Sequence, residues 1–132
     1  MEHKYTDITE KIINAAFEVH SKLGPGFLEQ VYHTAMKVAL KKKGLKYYSE
    51  KEYEIFFDNQ KIALHKLDLV VEDKIVIELK AVVGEMPNVF RAQILSYLKA
   101  SGLEVGLLIN FGNESLDIKR LTPYNKDYKA KI

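Results

Sequence analysis

In 132 residues the chain carries 20 Lys and Arg against 18 Asp and Glu, a net charge of +2, and no cysteine. This length suits one domain, residues 1–132, able to bury about two-thirds of its unfolded surface and fold without staples. The missing thiols exclude disulfides, cysteine nucleophiles and thiolate metal sites, which fits a reducing cytoplasm.

The opening Met1-Glu-His-Lys-Tyr-Thr-Asp7 has no apolar signal core, and no stretch nears the roughly 20 apolar residues of a membrane span. The expectation is a soluble, cytoplasmic protein that does not engage a membrane. Asp7 stands where it would cap a first helix whose Ile8, Ile12, Ala16, Val19 and Leu23 keep helical spacing up to Gly24-Pro25-Gly26. A second helix is expected from Phe27 to Lys43, with Leu28, Val31, Ala35, Ala39 and Leu40 inward and three closing lysines that complement its dipole before Gly44.

Strands follow. Tyr53 to Phe57 alternates aromatic and polar residues before an Asp58-Asn59-Gln60 turn, Ile62 to Leu64 continues, and Leu67 to Ala81 reads as a hairpin. After the Gly84-Glu-Met-Pro87 break, Asn88 to Ser101 is a third helix with Pro87 at its start and Gly102 at its end. Val105 to Phe111 is a continuous apolar run, short enough for a strand buried on both faces, and a last strand lies near Leu116 to Leu121. A helix joining a hairpin strand to the buried strand makes a parallel crossover, so the fold class is α/β with a mixed sheet flanked by helices.

The chemistry concentrates in the hairpin. Glu-x-Lys occurs at Glu2-His3-Lys4, Glu72-Asp73-Lys74 and Glu78-Leu79-Lys80, but only the last lies in an apolar run, where charges must be paired, metal-bound or at a solvated cleft. Strand alternation puts Ile75, Ile77 and Leu79 on one face and Glu78 and Lys80 on the other. A three-residue loop, Glu72-Asp73-Lys74, pairs Val71 with Ile75 and brings Asp68 opposite Glu78, whereas pairing Val71 with Lys74 sets them on opposite faces. Two converging carboxylates beside a lysine suit a hard divalent cation, Mg2+ or Mn2+, and phosphodiester chemistry; an ordinary salt-bridged sheet face is the other reading.

Only two of the 20 basic residues are arginines, Arg91 and Arg120, a balance that suits phosphate-backbone contact better than base reading. Lys41-Lys42-Lys43 and the tail lysines Lys126, Lys129 and Lys131 are candidate phosphate contacts, against the plainer reading of solvated runs. The four histidines, His3, His20, His33 and His65, show no paired ligand spacing. No Walker loop, G-x-S-x-G elbow or dinucleotide fingerprint occurs.

Taken together, Glu18-Val-His20, Leu23-Gly-Pro-Gly-Phe-Leu-Glu29-Gln-Val-Tyr32, Asp68 through Glu78-Leu-Lys80-Ala81, Gln93-Ile-Leu-Ser-Tyr97 and Val105-Gly-Leu-Leu-Ile-Asn-Phe-Gly112 resemble the PD-(D/E)XK nuclease superfamily. Within it they resemble the small single-domain proteins with a G-x-x-E-x-x-Y motif. The resemblance implies a restriction-endonuclease-like αβββαβ core with an extra N-terminal helix, and a Mg2+- or Mn2+-dependent nuclease acting on DNA more readily than RNA. It implies Asp68, Glu78 and the Leu79 carbonyl as metal ligands and Lys80 as the group that orients the water. Glu29 is a further ligand or, as third helical residue after a Gly26 cap, a helix-dipole carboxylate. Tyr32 shares the Glu29 face, and Gln93 and Tyr97 border the site. Lys66 stands where an arginine is expected, and His20 belongs to the matching Val-His stretch. A catalytically silent module binding nucleic acid or a protein partner is the alternative, and a homodimer would supply two sites for a branched substrate.

Overall fold

The computed structural model describes residues 5–123. Its elements are α1 (Thr6–Leu23), α2 (Glu29–Lys42), β1 (Tyr47–Phe57), β2 (Gln60–Val71), β3 (Ile75–Lys80), α3 (Asn88–Ser101), β4 (Val105–Asn110) and β5 (Asp117–Leu121). The five strands lie in sequence order in one sheet, antiparallel except for the parallel pair β3 and β4, which α3 connects. This is the expected mixed sheet with αβββαβ order from α2 to β4, preceded by α1 and followed by β5.

Two apolar clusters show why the sheet is covered on both faces. Leu69, Val71, Ile75, Ile77, Leu79, Leu107 and Ile109 join Ile12, Ala16, Tyr32, Met36 and Leu40 of α1 and α2. Val70, Val76 and Leu108 instead join Ile94 and Leu98 of α3. β3 and β4 are thus buried along nearly their whole length because both of their faces are covered, and Glu78, Lys80 and Asn110 are the only polar side chains they carry.

Several boundaries differ from the sequence reading. Tyr5, in left-handed backbone at φ 59°, occupies the cap of α1, so Asp7 sits inside the first turn, where its charge still favours the dipole. α2 starts at Glu29 rather than Phe27, because Leu28 is extended at ψ 153° and 81% exposed. The face of α2 rotates accordingly: Val31 is exposed, and Tyr32, His33, Met36, Ala39 and Leu40 point inward. β1 begins at Tyr47 instead of Tyr53, and β2 runs unbroken from Gln60 to Val71. Of the proposed phosphate-binding lysines, Lys42 pairs with Glu18 at 3.6 Å, and the tail lysines lie outside the described residues.

Beyond Lys80 the chain stays beside β4 through side chains that imitate a strand. The Asn110 amide donates to the Val82 carbonyl at 2.9 Å and accepts from the Val82 N–H at 2.9 Å. Asn113 does the same for Gly84, at 2.9 and 2.8 Å. His20 ties α1 to this loop through Nε2 and the Asn113 carbonyl, 2.8 Å apart. Gly112 lies so close that an added Cβ would stand 2.3 Å from the Val82 oxygen. We expect Gly112→Ala to cost about 2 kcal/mol or more, seen as a lowered midpoint in thermal melts, since backbone atoms cannot yield as a side-chain tip can.

Candidate active site

The hairpin register is the one that joins the two carboxylates. Val71 pairs with Ile75, Val70 with Val76 and Leu69 with Ile77, so Asp68 comes level with Glu78. Glu72 and Asp73 both take positive φ, 54° and 55°, and the Lys74 N–H donates to the Val71 carbonyl at 3.0 Å. Past Leu69 the side chains replace the backbone ladder. The Asp68 N–H donates to Glu78 Oε1 at 3.2 Å, and the Leu79 N–H donates to Asp68 Oδ2 at 3.0 Å. Each carboxylate thereby keeps one further oxygen for a ligand.

A departure from regular strand geometry accompanies this. Leu67 and Val70 lie in the same cluster under α3, although residues three apart on a regular strand face opposite ways. β1 changes face in step: Tyr47 packs toward α1 and α2, and Tyr53 toward α3. Between these positions Ser49 pairs with Leu69 and Lys51 with Leu67, while Glu50 adopts φ 56° and its pairing with Asp68 is skipped. Asp68 therefore occupies the point where β2 reverses its faces.

Burial and the adjacent Asp68 charge push the Glu78 carboxyl up to about 8, with Lys80 offsetting part of the effect. At neutral pH the metal-free pair thus holds a proton on Glu78. Lys80 places Nζ 4.3 Å from the centroid of the Phe90 ring on α3, a cation–π contact that fixes the ammonium on the carboxylate face. Burial, then Glu78 and Asp68, raises the Tyr97 hydroxyl, whose ring lies 4.2 Å from that of His65.

The other candidate residues fall at different distances from this centre. Glu29 is the first residue of α2, not the third; desolvation and Asp68 push its carboxyl up and Lys80 pulls it down, so it faces the pair from the rim. Among the described residues no three His, Asp or Glu side chains gather at metal-binding spacing. Gln93 is exposed on α3 one turn before Tyr97, and Lys66 is exposed opposite Glu52. Tyr32 is fully buried, stacked on Phe111 at 4.7 Å, and its hydroxyl donates to the Gly24 carbonyl at 2.6 Å while accepting from the Phe27 N–H. It fixes the α1–α2 loop and through it the start of α2. His20 serves the Asn113 loop.

Two residues near the site escaped the sequence reading. His33 and Glu50 line, with Glu29, Gln30 and Asp68, a cavity of about 70 Å³. His33 follows Glu29 by four residues, a spacing that puts both on one helix side; nothing in the sequence marks Glu50. The larger hollows lie elsewhere, between α1 and α2 and between α1 and β5.

The donor set suits a hard cation. Two carboxylates offer oxygen donors alone, and their mutual repulsion is what a divalent ion relieves.

A mixed sheet covered by helices on both faces, with paired carboxylates and a lysine at the end of its hairpin, defines the restriction-endonuclease-like class of fold. The family model of the PD-(D/E)XK nuclease superfamily matches residues 6–121, and the chain belongs to that superfamily. No curated protein matches it. Among solved structures, the crystal structure of SSO0001 is similar in fold, with a TM-score of 0.58 at 16% sequence identity. The similarity covers 96% of this chain but spans only 63% of that one.

Proposed function

We propose that the chain is a Mg2+- or Mn2+-dependent nuclease that hydrolyses phosphodiester bonds, in DNA rather than RNA, and that it belongs to the G-x-x-E-x-x-Y group within the superfamily. The observation that carries this reading is the locked Asp68–Glu78 pair, with Lys80 on the same face of β3. Asp68, Glu78 and the Leu79 carbonyl would hold the ion. Bound there, a divalent cation supplies Lewis acidity that polarises the scissile phosphate and eases ionisation of the attacking water.

The protein's own groups do the rest. Lys80, steadied on Phe90, presents a cation to the charge that builds on the phosphoryl oxygens in the transition state. Tyr97 closes the α3 side of the carboxylates, and Glu29 with Gln93 offers polar contacts where water and the phosphate backbone would enter. A polyanion binds along an open surface, so the modest cavity at the carboxylates is no obstacle.

The test is cleavage of labelled single-stranded, duplex and branched DNA, with an RNA control, in Mg2+ or Mn2+. Lys80→Ala is expected to lower turnover roughly a hundredfold while leaving Mn2+ affinity unchanged or slightly tighter. Absence of cleavage by folded, Mn2+-binding wild type on every substrate would move the assignment to a silent binding module.

A further inference from the structure

We infer that His33, on α2 behind the carboxylates, is a positioning residue that holds Asp68 level with Glu78; its effect on metal binding rests on the nuclease reading above, its effect on Asp68 does not. Strand carbonyls ordinarily accept from the neighbouring strand. At Asp68 the pairing with β1 is skipped: the ladder passes from Ser49–Leu69 to Lys51–Leu67, and Glu50 is turned to φ 56°. The Asp68 carbonyl instead meets His33 Nε2 at 3.2 Å. A carbonyl only accepts, so Nε2 carries the proton, and Nδ1 is buried without a partner among the described residues.

His33 is only 8% exposed, and its ring makes its hydrogen bond to Asp68. Asp68 is thus gripped from three sides: its carbonyl by α2, its N–H by the Glu78 carboxylate, and its carboxylate by the Leu79 N–H. The imidazole holds the peptide that follows Asp68, the Glu78 carboxylate holds the one that precedes it, and between the two the backbone of Asp68 aims its side chain at the Leu79 N–H where the strand reverses its faces. Groups that orient a metal ligand in this way typically change affinity by about 10–100-fold when removed.

Two substitutions separate positioning from simple support of the fold. Gln places an amide nitrogen at about the reach of Nε2, whereas Leu fills the space without a donor. Amide hydrogen exchange in the metal-free protein reads the grip directly. His33→Leu is expected to speed exchange at Asp68 and Leu79 at least tenfold more than at Ile77 and Ile109, and to weaken Mn2+ binding by about 10–100-fold. His33→Gln is expected to restore both. Equal acceleration across the sheet, or unchanged exchange at Asp68 and Leu79 in His33→Leu, overturns the assignment. A wild type that binds no Mn2+ removes the metal-site reading, while the exchange comparison still decides His33.

Discussion

Asp68→Asn is expected to weaken Mn2+ binding by at least about a hundredfold and to reduce cleavage below detection, while leaving the metal-free protein as stable as wild type or more so. The substitution keeps the size of the side chain and an oxygen able to accept from the Leu79 N–H, the bond that Asp68 Oδ2 makes at 3.0 Å. What it removes is the charge. That charge is the second cause of the raised Glu78 carboxyl, so its loss lowers the cost of ionising Glu78 in a buried site and at the same time halves the negative charge available to a cation. A function-bearing pair and a merely structural pair therefore predict opposite patterns. If Asp68 served the fold through an ordinary ion pair, removing its charge would lower the melting temperature. Calorimetric Mn2+ titration beside a thermal melt separates the two, and wild-type affinity in Asp68→Asn would refute the metal site.

How much of this was legible in the sequence differs from residue to residue. The convergence of Asp68 and Glu78 came down in the sequence to one open choice, because a strand's period of two allows only two outcomes, and pairing of Val71 with Ile75 is the one that joins them. α1 and α3 were legible for a similar reason, with apolar spacing running between clear breaks. α2 was not, because Leu28 and Val31 fit an apolar stripe as well as Tyr32 and Met36 do; only the extended backbone of Leu28, set by the Tyr32 tether to Gly24 and Phe27, rotates the helix to its real face.

The early part of β1 reads Tyr-Tyr-Ser-Glu-Lys-Glu, which has no apolar alternation because the strand is an edge with one side in water. The reversal of faces at Glu50 and Asp68 was invisible for a deeper reason. It places a non-glycine residue in left-handed backbone, an arrangement that local preference opposes and that tertiary contacts must sustain. One such contact, His33 to the Asp68 carbonyl, spans 35 positions of sequence. Local deviations of this kind gather where a fold positions reactive groups, and here the deviation frees the Asp68 backbone from β1 at the place where its carboxylate must be aimed.

Glu78 gives the site a pH signature with a definite sign. Its carboxyl titrates at about 8 in the folded, metal-free protein and has an ordinary value of 4.5. Between those values the folded state holds a proton that the unfolded state has released, so stability is fully present below pH 4.5 and falls as pH rises toward 8. The expected loss is on the order of several kcal/mol. Glu78→Gln stays neutral throughout and should lack this slope, matching wild type near pH 4.5 and exceeding it at pH 8 in denaturant titrations without metal. Saturating Mn2+ replaces the proton in the wild type, so binding should release about one proton near pH 7 and tighten as pH rises to 8, and the added stability should be greatest there. Glu78→Gln should gain little from the same ion. A wild-type protein whose metal-free stability is flat from pH 5 to 8 would mean that Glu78 is ionised without a cation, and that the two carboxylates are held further apart than their backbone hydrogen bonds place them.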